Sequence, residues 1–146
     1  MKPGVKPIPE GYHTVTPYLV VNGADKLLDF LSQAFGAKEN FRMNRPGGGV
    51  WHAETRVGDS MLMVGEANQQ NPARPSCLNL YVEDVDRIYA QAVAAGGKSL
   101  REPADQFYGD RSGGVEDPCG NQWWIATHVE DVSPEELERR TEAAAH

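Results

Sequence analysis

Residues 14–36, TVTPYLVVNGADKLLDFLSQAFG, and residues 76–97, SCLNLYVEDVDRIYAQAVAAGG, carry one pattern twice, and that repetition decides the fold. Each stretch opens with a short apolar and aromatic run, expected as a strand over residues 14–21 and again over 76–82. A helical spacing follows: Leu27, Leu28, Leu31, Ala34 and Phe35 within residues 25–35, then Val85, Ile88, Tyr89 and Ala92 within 85–95. Gly36 and Gly96-Gly97 stand where helices stop, since glycine accepts the left-handed backbone of a C-terminal cap. Sliding the chain by 61 residues sets Val21 on Val82, Asp25 on Asp86, Leu27 on Ile88 and Gly36 on Gly97. Sliding by 62 sets Glu54 on Glu116 and Gly58 on Gly120. Two copies of one module predict a pseudo-twofold domain; a solenoid needs three or more.

Outward from these cores, each helix leads into three strands. They are expected over residues 40–44, 50–57 and 60–65 in the first copy, and over 98–101, 109–116 and 121–128 in the second. Arg45-Pro46-Gly47-Gly48-Gly49, Gly58-Asp59 and Asp117-Pro118-Cys119-Gly120 supply turns. Gly47 to Gly49 is read as a hairpin and not a phosphate cradle, because no helix or Lys-Ser/Thr follows. Ser133-Pro134-Glu135-Glu136 is a capping box that starts a mostly charged helix ending near residue 144. The expected architecture is α+β: one domain over residues 1–146, with module one at about 14–65, a linker at 66–75, module two at about 76–128 and a C-terminal helix at about 133–144.

The chain has 146 residues, 40% hydrophobic and 24% charged, which suits one globular domain with its own core. A net charge of −7 argues against nucleic acid as a partner, since phosphate binding needs a basic face. No apolar run approaches membrane-spanning length, so no membrane partner is expected. Residues 1–11 carry three prolines and read as an extended or flexible arm. Cys77 and Cys119 form no paired motif, and a reducing cytoplasm is the default location.

The segments TPYLVVNGADKLLDFLSQAFGAK (residues 16–38) and GDRSGGVEDPCGNQWWIATHVEDVSPEELERR (residues 109–140) resemble the vicinal-oxygen-chelate superfamily, which holds glyoxalases, bleomycin-resistance proteins and dioxygenases. The ending, with Asp117-Pro118-x-Gly120-Asn121 and Ser133-Pro134-Glu135-Glu136, is similar to its PhnB-like branch. The resemblance implies two curved four-stranded sheets in an incompletely closed mixed barrel around a cavity, and a homodimer. It also implies one divalent metal held by His, Glu or Gln at four strand positions. Carried over, those positions fall on Thr16, Leu62, Cys77 and Trp124, which cannot hold a hard ion, so no metal or other cofactor is expected there. His52 and Glu54 alternate on one strand face, and with His128 they form an alternative metal set; the competing reading leaves both histidines in local hydrogen bonds.

If Thr16 and Cys77 face a cavity, alternation also turns Tyr18, Val20, Asn79 and Tyr81 inward, with Leu62 and Trp124, and Val64 and Gln122 beside them. That lining suits a small organic molecule, with the aromatics stacking and Asn79 orienting it. Equally, these aromatics fill a closed core. Arg111 either binds a ligand carboxylate or phosphonate or pairs structurally with Asp110. Cys77 lacks a neighbouring base and reads as an inert thiol. Three functions stand: a metal-free small-molecule-binding protein without catalytic residues; a metal-dependent lyase, isomerase or dioxygenase with displaced ligands; and a structural or regulatory dimer with a vestigial pocket.

Overall fold

Pro17 has no N–H to give to a ladder, and β1 (Tyr18–Val21) begins just after it, four residues later than the apolar pattern suggested. The computed structural model describes residues 2–145, and these divide after Pro75 into two compact units. The first unit continues with α1 (Ala24–Phe35), β2 (Lys38–Asn44), β3 (Val50–Val57) and β4 (Ser60–Glu66). The second contains β5 (Cys77–Tyr81), α2 (Val85–Ala94), β6 (Lys98–Asp105), β7 (Asp110–Glu116), β8 (Gln122–His128) and α3 (Pro134–Ala144). Each unit is an open, mixed four-stranded sheet, ordered β1-β4-β3-β2 in one and β5-β8-β7-β6 in the other. The outer pairs β1–β4 and β5–β8 are parallel, the rest antiparallel. The α+β class and the repeated β–α–β–β–β order are those the sequence predicts.

The helices α1 and α2 each cover one face of their own sheet. In the first unit Leu27, Leu28, Leu31 and Ala34 of α1 are buried with Leu19, Val21, Ala53, Leu62 and Val64 of the strands. In the second, Val85 and Ala92 of α2 are buried with Val115, Trp123 and Ile125. Both helix starts are held by side chains from the last strand. Glu66 accepts from the N–H groups of Gly23 (3.0 Å) and Ala24 (2.9 Å), and Thr127 accepts from Val85 N–H (2.9 Å). The predicted turn at residues 117–120 is built around buried Asp117. It accepts from the N–H of Cys119, the N–H and side-chain amide of Asn121, and the Trp123 indole. Ser133 caps α3 as expected, accepting from Glu136 N–H.

Several expectations need correction. Tyr18 pairs with Met63 and Asn79 with Trp124, so the 61-residue offset persists into the last strands. The counterpart of Trp124 is therefore Met63. Leu62 and Val64 point the other way, into the buried layer against α1. Likewise Glu54, paired with Met63, corresponds to Gly114 and not to Glu116. Within residues 66–75, Glu66 ends β4, and the N–H groups of Ala67 and Arg74 bond the carbonyls of Val21 and Val20. β6 runs four residues further than predicted, to Asp105; it is an edge strand, which tolerates Pro103.

Candidate functional site

The sheet face turned away from α2 holds a recess of ≈ 360 Å³ in the second unit. Asn79 and Tyr81 reach it from β5, Trp124 and Ala126 from β8, Asp110 and Ser112 from β7, Arg101 from β6 and Tyr108 from the loop before β7. Its shape depends on a glycine inside a strand. A Cβ on Gly114 would lie 2.5 Å from two atoms of the Trp124 ring, so only a bare backbone lets the indole lie across β7. The Arg101 guanidinium carbon sits 5.0 Å from the Trp124 ring centroid, and its Nη2 donates to the Ser112 hydroxyl.

A hydrogen-bonded clamp forms one side of the recess. Tyr81 donates to Asp110 (2.6 Å), whose other oxygen meets Nδ1 of His128 (2.8 Å), and Nε2 of His128 meets Asp131 (2.7 Å). Hydrogen bonds to Asp110 and then to Asp131 raise the His128 pKa above the usual imidazole range. The bond to Asp110 also raises the Tyr81 phenol, holding it protonated as a donor. The clamp fixes the Tyr81 ring, whose surface is 64% exposed.

The corresponding face of the first unit is covered by its own N-terminal arm. Pro7, Ile8, Tyr12 and Thr16 enclose, with Glu54 and Met63, a second recess of ≈ 330 Å³. The Tyr12 hydroxyl is buried there without a hydrogen-bond partner. Beside it Tyr18 bonds Nδ1 of His52 (3.0 Å), and Nε2 of His52 lies 3.6 Å from Glu54. Gly65 makes room for Tyr18 as Gly114 does for Trp124, since a Cβ there would meet the Tyr18 hydroxyl at 2.7 Å.

The predicted site residues thus separate. Asn79, Tyr81 and Trp124 come together in the second recess. Cys77 and Gln122, paired at the end of the same sheet, are exposed and lie outside it. Thr16 lines the first recess, Tyr18 lies on the same sheet face as Met63, and Val20 pairs with Gly65. Leu62 belongs to the core instead. Arg111 is also corrected: alternation puts it on the α2 face, where it binds Asp86 (3.0 Å) and Asp105 (3.3 Å), while its neighbour Asp110 faces the recess. The Asp86 bond raises the Arg111 pKa and lowers that of Asp86, so this guanidinium is committed to structure. Arg101 and Ser112 were not anticipated. Their signal was Gly113-Gly114 inside a strand, which marks a close approach from a neighbour.

The superfamily's metal does not fit this chain. With the register corrected, its four positions hold Thr16, Met63, Cys77 and Trp124: a hydroxyl, a thioether, a thiol and an indole, with no carboxylate or imidazole. In the alternative set, His52 and Glu54 do share a face, whereas His128 belongs to the second unit with both ring nitrogens engaged by carboxylates. Among the described residues no three His, Cys, Asp or Glu side chains group as a metal site. No helix among them is long and apolar enough to cross a membrane.

Comparison with known proteins agrees with this architecture. Uncharacterized proteins of Mycobacterium bovis and Mycobacterium tuberculosis are each 31% identical over 135 residues, 85% of this chain, covering 89% and 79% of the relatives. Among solved structures, TioX from Micromonospora sp. ML1 is similar in fold, with a TM-score of 0.69 and 23% identity over 80% of this chain and 99% of its own. The fosfomycin resistance protein FosX from Mesorhizobium loti aligns with a TM-score of 0.59 and 15% identity over 79% of this chain and 91% of its own. A family model matches residues 12–125, and the chain belongs to the glyoxalase/bleomycin resistance protein/dioxygenase superfamily.

Proposed function

We propose that this protein binds a small organic molecule in the second-unit recess and does so without the superfamily's metal. The observation that carries the reading is Trp124. It stands where the family pattern calls for a ligating carboxylate, and it lies in an open recess beside Tyr81, Asn79 and Arg101. Aromatic surface with a few fixed polar groups is the usual make-up of a small-molecule site. The Asp110–His128 clamp pre-orients Tyr81, which reduces the ordering cost of binding. Catalysis is not part of this reading. The test is a thermal-shift screen with aromatic acids, antibiotics and nucleotides, repeated on Trp124→Ala. A compound that binds only the folded chain raises its melting temperature, and no shift from any compound would reject the proposal.

The His52–Glu54 pair supports a second reading, in which a single divalent metal serves a lyase, isomerase or dioxygenase reaction. Metal analysis of the purified protein separates the two, since one tightly held ion per chain would favour the second. The reading also places the chain in the PhnB-like branch, on its tail motif, and in the cytoplasm as a homodimer. Phe41 and Met43, on one face of β2, leave apolar surface exposed for a second copy. A monomer in sedimentation would reject the dimer, leaving the binding proposal intact.

A further inference from the structure

We infer that the second-unit recess is selective for an aromatic carboxylate, with Arg101 taking its charge; this deepens the binding proposal above and rests on it. Arg101 is the only Lys or Arg among the described residues lining the recess. No carboxylate among those residues pairs with it, and its contacts are the Trp124 ring and the Ser112 hydroxyl, both neutral. A guanidinium carries five N–H donors, so these contacts orient the group without using up its fork. The one carboxylate of the recess, Asp110, is already engaged by Tyr81 on one oxygen and His128 on the other, and not by Arg101. Arg101 is therefore the cationic group of the lining whose donors are open to a ligand's negative charge.

The ring preference comes from what surrounds the charge. Tyr81 and Tyr108 are 64% and 41% exposed, the Tyr108 ring also meeting Phe107 edge to face at 5.3 Å. One face of the Trp124 indole lies on Gly114 and Arg101 sits over the ring, so a ligand ring has the two tyrosines and the guanidinium plane to lie against. A carboxylate matches the guanidinium fork in two parallel hydrogen bonds, which an amide or amine cannot do. A volume of ≈ 360 Å³ lies near the lower end of small-molecule sites, and it suits one or two fused rings.

The experiment is calorimetric titration of the full chain with 2-naphthoate, with 2-naphthamide and with inorganic phosphate, on the wild type and on Arg101→Gln and Arg101→Lys. Naphthoate is expected to bind at least roughly tenfold more tightly than the amide, the size of one charge-assisted contact. Arg101→Gln should weaken naphthoate more than the amide and bring the two to the same level, since the amide loses only the guanidinium plane. Arg101→Lys should restore only part of the difference, because an ammonium lacks the fork. Matching unfolding midpoints for the variants would confirm that they are folded. Equal binding of acid and amide to the wild type would overturn the carboxylate assignment while leaving the binding proposal standing. Phosphate binding as tight as naphthoate would overturn the aromatic preference. Absence of binding by both ring compounds would overturn the assignment, and a failed thermal-shift screen beside it would show the failure to be that of the binding proposal itself.

Discussion

Gly114→Ala adds one methyl group and should destabilise the second unit through a single collision. The new Cβ would lie 2.5 Å from Cε3 and Cζ3 of Trp124 and 2.9 Å from Cη2. Ordinary carbon contacts begin near 3.5 Å, so the rigid indole must retreat by about 1 Å. Overpacking of this kind costs about 1–3 kcal/mol. Trp124 is only half-buried and can swing outward, which favours the lower part of that range, at the expense of its contact with Arg101. For a chain of this length the loss corresponds to a melting temperature lower by roughly 2–8 °C. Gly114 has no positive φ, so alanine is conformationally acceptable there and would otherwise stabilise by about 0.4–1 kcal/mol through the unfolded chain. The sign of the effect therefore identifies its cause. Urea unfolding of Gly114→Ala, Trp124→Ala and the double variant closes a thermodynamic cycle. The alanine at 114 should cost stability when the indole is present and be neutral or stabilising when it is absent. An equal loss in both backgrounds would refute the account of how the recess is shaped.

Asp117→Ala should cost about 2–4 kcal/mol in urea unfolding, because four donors, including the Trp123 indole 2.7 Å away, lose a buried acceptor; a wild-type midpoint would contradict this. Glu66→Ala should lose about 1 kcal/mol, as the start of α1 is capped by this side chain and Gly23 offers none of its own. His128 has a folded pKa raised above its unfolded value, so its stabilisation is fully present below the ordinary imidazole pKa and is lost as pH rises through the folded one. The unfolding midpoint of the wild type should accordingly fall across that window relative to His128→Gln, and parallel pH profiles for the two proteins would count against the clamp.

The elements of this chain were legible because each is a local pattern. The 3.6-residue spacing of Leu27, Leu28 and Leu31, the glycine stop at Gly36 and the capping box at Ser133 act over a few residues, and the structure places the corresponding helices within one residue or so of the reading. The offset of 61 residues announced the repeat for the same reason. Which residues share the recess was a different matter, since side chains in a strand alternate and a slip of one residue exchanges the two faces. Gly58-Asp59 closes the first hairpin directly between Val57 and Ser60, whereas residues 117–121 lie between Glu116 and Gln122 in the second. Because the two turns differ in length, the last strands align at 61 residues and not 62, which makes Met63 and not Leu62 the counterpart of Trp124. Arg101 was hidden by irregularity, because register shifts on both sides of it break the alternation along β6. The sequence by itself determined the repeated module, its helices and its strands, through interactions that reach only along the chain. Tertiary structure alone decided that Arg101 lies over Trp124 while Arg111 turns to Asp86, because hydrogen-bond register across neighbouring strands chooses the face each side chain meets.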